Sequence, residues 1–110
     1  MKTSFEFVVE SHDGQVLGCC GLNGLDLINQ RCNLGYWTRT SAANRGVATE
    51  AVSALEDWAF RETNLVRLEI IAAVGNSASR RVAVKSNAYE EGILRSRLLV
   101  HGLFYDAALY

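Results

Sequence analysis

At 110 residues the chain has room for one hydrophobic core and no second one. Its 11 basic and 12 acidic residues nearly cancel, which excludes the broad basic footprint of a nucleic-acid binder. No apolar run approaches the roughly 18 residues of a membrane-crossing helix, so no membrane partner is expected. The opening Met1-Lys2-Thr3-Ser4-Phe5-Glu6-Phe7 is too short and too acidic for a signal peptide, which leaves the cytoplasm as the default location. Cys19, Cys20 and Cys32 are an odd set with two neighbours, a poor disulfide framework. Neighbouring strand residues point to opposite faces, so Cys19 and Cys20 are not expected to bridge. With no histidine close in sequence, no metal site is expected.

Phe5 to Glu10 alternates apolar and polar residues and predicts a strand. Asp13-Gly14 supplies a hairpin turn, and Gln15 to Leu22 returns as a second strand, with Gly18 and Gly21 as points of bulging or close approach. Asn23-Gly24 and Asn29-Gln30 bracket a loop before a third strand, Cys32 to Arg39. A helix follows over about Val47 to Glu62, with Ala48, Ala51, Val52, Leu55, Trp58 and Ala59 on one face and Asn64 as a left-handed stop. Arg67 to Val74 reads as a strand buried on both faces, which makes strand, helix and strand a βαβ unit with a parallel pair. Gly75-Asn76-Ser77 caps a second helix over about Ala78 to Ser86. Two last strands, about Glu91 to Val100 and Leu103 to Leu109, turn at His101-Gly102. The expected fold is a single α/β domain over residues 1–110, with a six-stranded mixed sheet and two helices.

The stretch Asn44-Arg45-Gly46-Val47-Ala48-Thr49-Glu50-Ala51 carries the chemistry. A short polar loop with one glycine runs straight into an amphipathic helix. That order aims backbone N–H groups of one helical turn at one point, at the positive end of the helix dipole, where anions and above all pyrophosphates bind. Glycine at 46 permits close approach of a phosphate, or a positive φ. The alternative is a polar turn that caps a core helix.

Several segments together resemble the GNAT-fold N-acetyltransferases, and among them the subgroup that acetylates the N-terminal amines of ribosomal proteins. They are Leu34-Gly35-Tyr36-Trp37, Arg45-Gly46-Val47-Ala48-Thr49-Glu50-Ala51, Asn76-Ser77-Ala78-Ser79 with Val82 and Lys85, and Glu91-Gly92-Ile93-Leu94-Arg95 leading to Tyr105-Asp106. The resemblance implies acetyl-CoA as co-substrate, a primary amine as acceptor, and a wedge between the strands near Trp37 and Ile70. The sequence departs from the family at Ala43, where the loop motif has Gln or Arg, and at Ala83, where many members carry a tyrosine acid. Asn87-Ala88 stands where a Gly-Phe pair is usual. A first strand and two helices of the family have no counterpart before Phe5, so the domain reads as truncated at its front.

By this resemblance the backbone of Asn44, Arg45, Gly46, Val47 and Ala48 holds the pyrophosphate, and Trp37 and Thr38 border the pantetheine arm. Trp37 reads nearly as well as a core aromatic. Asn76 binds the cofactor or simply caps its helix. Ser79 protonates the leaving thiolate or packs on a helix surface. Arg80 and Arg81 reach the adenosine phosphates or form a solvated face. No general base stands out: Asn33 sits where relatives often have a carboxylate, and Glu69 is a weak substitute. His12 and His101 read as surface turn residues. The expected activity is acetyl transfer to a protein N-terminus or a small amine. The alternative is a non-catalytic acyl-CoA-binding or dimerisation module. An uncovered sheet edge at Phe5–Glu10 predicts a homodimer or higher homo-oligomer.

Overall fold

A computed structural model describes residues 4–43 and 45–110, so the loop residue Asn44 lies outside the described part. The chain divides into two compact units, Met1–Glu69 and Ile70–Tyr110.

The first unit holds β1 (Phe5–Glu10), β2 (Val16–Asp26), β3 (Arg31–Thr38), a 3-10 turn (Thr40–Ala42), α1 (Val47–Glu62) and β4 (Arg67–Glu69). Its sheet has the order β1-β2-β3-β4. The first three strands are antiparallel, and β3 and β4 are parallel, as the strand–helix–strand pattern predicts. The first hairpin forms because Gly14 adopts φ 85° and donates its N–H to the Ser11 carbonyl. The Ser11 hydroxyl also binds the Asp13 carboxylate, and this holds the Asp13 carboxyl below its ordinary range. Gly18 and Gly21 are points of close approach, as expected. A Cβ on Gly18 would stand 2.1 Å from the Trp37 carbonyl oxygen, and one on Gly21 would stand 2.6 Å from that of Phe5.

β2 is longer than its pattern suggests. Asn23 pairs with Asn33 inside the ladder, the register shifts before Asp26, and the reversal falls at residues 27–30 instead of beginning at Asn23-Gly24. Asp26 organises that reversal by accepting from the Asn29 backbone and side chain. Helix α1 occupies the predicted span and buries Val52, Leu55 and Ala59. Its stop is not a left-handed Asn64. Thr63 ends it in extended conformation, donating its hydroxyl to the Ala59 carbonyl and accepting from Leu65 N–H.

The second unit holds β5 (Ile71–Ala73), α2 (Ser77–Lys85), β6 (Gly92–Val100) and β7 (Leu103–Leu109), in sheet order β5-β7-β6. The described strands therefore number seven, in sheets of four and three, where one sheet of six was expected. The predicted strand Arg67–Val74 is divided at Ile70. Arg67–Glu69 pairs with β3, whereas Ile70 exchanges both backbone hydrogen bonds with Tyr110, and Ile71–Ala73 pairs with β7. Nor is that run buried throughout: Ile70 and Ala72 are, but Val74 is exposed. His101 and Gly102 take φ 50° and 78°, the paired left-handed values of a tight hairpin turn. In β6, Ser96 adopts φ 50° at a register shift, and the Asp106 carboxylate accepts its N–H.

Candidate functional site

The loop after β3 is built as the sequence suggests. Thr40–Ala42 forms a 3-10 turn whose Ala42 is fully buried and anchors the loop. Arg45 stays exposed and folds its guanidinium back to donate to the Ser41 carbonyl, 3.2 Å away. Gly46 is the N-cap of α1 with φ 76°, a left-handed conformation that costs other residues about 1–2 kcal/mol. A Cβ there would meet nothing within 4 Å, so the glycine is needed for its backbone angle and not to relieve a clash with the protein.

The first intrahelical bond runs from Glu50 N–H to the Gly46 carbonyl. The amides of Val47, Ala48 and Thr49 precede it, and no side chain caps this end. Helix α2 is the contrast. There Asn76 is the N-cap, and its Oδ1 accepts from Ser79 N–H at 3.0 Å. One helix start is closed by its own side chain, and the other has no side-chain cap.

Trp37 is 58% exposed, so it is not a core aromatic. It pairs with Cys19, and Thr38 pairs with Gly18, at the end of β3 that leads into the loop. The parallel ladder with β4 covers only Arg31–Asn33 against Arg67–Glu69, and Leu34–Thr38 runs on beyond it with β2 as its sheet neighbour. Trp37, Thr38, Arg45, Gly46, Val47 and Ala48 thus belong to the first unit, and Asn76 and Ser79 to the second.

Residues weighed as proton acceptors are already engaged. Asn33 donates to Asn23 Oδ1 at 3.1 Å. Glu69 accepts from Arg67 Nε at 2.8 Å and lies 3.5 Å from Arg31 Nη1. Arg80 is not a free solvated group. It donates to the Tyr110 hydroxyl, the Val74 carbonyl and the Glu90 carboxylate, and the first and last of these hold its guanidinium in the charged form. Sequence gave no sign of this cluster, because its members lie 10 and 30 positions from Arg80. Arg81 is exposed. His12 and His101 sit in turns at the surface, as expected.

Cys19 is exposed, and Cys20 and Cys32 are buried; burial pushes both buried thiols up, toward the protonated form. Among the described residues no cluster of histidine, cysteine or carboxylate side chains is arranged to hold a metal. No described helix is long and apolar enough to cross a membrane.

Comparison with known proteins supplies the context for this geometry. Residues 1–88 match the family model described as the acetyltransferase (GNAT) domain. The chain is 37% identical over 99 residues to the Bacillus subtilis protein named "Putative ribosomal N-acetyltransferase YdaF", covering 90% of this chain and 54% of that one. It is 26% identical over 104 residues to the Escherichia coli ribosomal-protein-serine acetyltransferase, covering 94% of this chain and 58% of that one. Among solved structures, the ribosomal L7/L12 α-N-protein acetyltransferase RimL in complex with coenzyme A superposes with a TM-score of 0.91 at 23% identity, over 98% of this chain and 60% of that one. The chain therefore spans little more than half the length of these relatives.

Proposed function

Because the chain belongs to the acetyltransferase (GNAT) domain family, we propose that it binds acetyl-CoA at the Gly46 loop and transfers the acetyl group to a primary amine. The carrying observation is the start of α1, where Gly46 turns left-handed and the amides of Val47 and Ala48 stand without a side-chain cap. Those donors, the helix dipole and the Arg45 charge suit a pyrophosphate. Asn44, outside the described residues, belongs to the same loop. Trp37 and Thr38 lie on the strand that enters the loop and would flank the pantetheine arm, which pairs with strand backbone as an added strand does.

In this reading the amine attacks the thioester carbonyl directly. The new C–N bond forms, the C–S bond breaks, the amine proton passes to solvent and the thiolate takes a proton from Ser79 or water. The pairing of Glu69 with Arg67 and Arg31 supports an acceptor that arrives already neutral, with no free carboxylate base taken from the described residues. Relatives named for ribosomal proteins favour a protein N-terminus as the acceptor. The family match covers the first compact unit and continues into the second as far as residue 88, which supports a single domain. Free thiols at Cys19, Cys20 and Cys32 suit a reducing cytoplasm.

We also take the chain to assemble as a homodimer or higher homo-oligomer. Support comes from β1, which ends its sheet and exposes Phe7 and Val8.

Calorimetric titration with coenzyme A, followed by a thiol-release assay over a panel of amines, tests the function. Wild-type protein is expected to bind and turn over. Gly46→Glu places a carboxylate and a strained φ at the anion site and is expected to abolish both, whereas Asn23→Ala leaves binding intact. Binding without release of thiol for any amine would identify a non-catalytic acyl-CoA module.

A further inference from the structure

The first unit contains a cavity of about 590 Å³ between α1 and the first hairpin. Its walls include Phe7, Leu17, Val47, Ala51, Ala54 and Trp58. The helical members recur at 47, 51, 54 and 58, one stripe along α1. It is distinct from the stripe of Val52, Leu55 and Ala59 that the core covers, although Leu55 touches both. Small residues at 51 and 54 keep the space open. Trp58 is held as a fixed wall by edge-on contacts with Phe5 and Phe7, at ring separations of 5.3 and 5.2 Å.

Two carboxylates, Glu10 and Glu50, also line the cavity, and no lysine or arginine does. Neither carboxylate has an ion-pair partner among the described residues. Ser11 and His12 also line it. The volume falls in the range of small-molecule sites. Apolar walls with unpaired negative charge select an apolar body that carries a cation.

We propose that this cavity is a binding site for hydrophobic amines, adjoining the Gly46 loop at Val47: a flat or branched apolar group against Trp58 and Leu17, with the ammonium toward Glu10 and Glu50. Titration of the full chain with 4-phenylbutylamine and with its neutral isostere 4-phenylbutan-1-ol tests it. Calorimetry and the Trp58 indole N–H signal are the readouts, at pH 8.5, where an alkylammonium is still charged.

The amine is expected to saturate the site about tenfold more tightly than the alcohol. The double variant Glu10→Gln, Glu50→Gln is expected to erase that preference while both probes still bind. Ala54 is exposed, so Ala54→Phe fills the cavity from the surface and is expected to abolish binding of both, with coenzyme A binding unchanged. Equal affinity for amine and alcohol in the wild type overturns the proposal, as does binding that survives Ala54→Phe. A dimer that takes up no probe and that Ala54→Phe splits into monomers also overturns it, because the occupant is then a second copy of the chain.

Discussion

Two side chains carry residue-scale expectations that separate stability from function. Burial, with Asp57 beside it, pushes the Glu56 carboxyl up to about 7. The folded protein thus keeps a proton that the unfolded chain releases from about pH 4.5 upward. Stability falls as pH rises from there and levels off above pH 7. Glu56→Gln is expected to change nothing at pH 4 and to stabilise by about 1–2 kcal/mol at pH 8, a figure reduced for partial exposure. Urea titrations at the two pH values measure it. Asn76 spends its Oδ1 on the α2 cap, which leaves its Nδ2 for a ligand. Asn76→Asp is expected to keep the cap and the melting temperature while weakening coenzyme A binding. Asn76→Ala is expected to cost about 1 kcal/mol of stability as well. A transfer that uses no carboxylate base, as proposed, has its own signature. The rate is expected to rise with pH through the pKa of the acceptor amine, and to move when acceptors of different basicity are compared.

At the scale of elements, Gly18 decides how closely β2 approaches the end of β3 that carries Trp37 and Thr38. A methyl group there would collide with backbone, which cannot swing aside as a side chain does. Gly18→Ala is expected to cost about 3 kcal/mol and to disturb Trp37 and Thr38 together, visible as a lower denaturation midpoint and a shifted Trp37 emission. Elements such as α1 were legible in the sequence because periodicity and the preceding glycine are local signals, and its predicted span is the observed one. The hairpin at Asp13-Gly14 and the turn at His101-Gly102 were legible for the same reason. The division of the strand at Ile70 was not, because the partner that decides it, Tyr110, is remote in the chain. The stop of α1 was misjudged because Thr63 ends the helix through its side chain, in place of a left-handed residue. The Gly46 loop was read from sequence, whereas the commitment of Arg80 to Glu90 and Tyr110 was visible only in the fold.

For the whole molecule, the open side of β1 bears on assembly. β1 hydrogen-bonds to β2 alone in its sheet, and Val8 is 63% exposed. An edge of this kind favours pairing with another chain unless a charge blocks it. Sedimentation at micromolar concentration is expected to show a dimer or larger species, and Val8→Lys to shift it toward the monomer. A wild-type protein that sediments as a stable monomer would contradict the assembly while leaving coenzyme A binding untouched.

Tyr110 is 5% exposed, trades two backbone bonds with Ile70 and donates its hydroxyl to Glu90. Tyr110→Phe would keep the ladder to Ile70 yet withdraw the hydroxyl that bridges Arg80 and Glu90, so the guanidinium would lose one of its three acceptors.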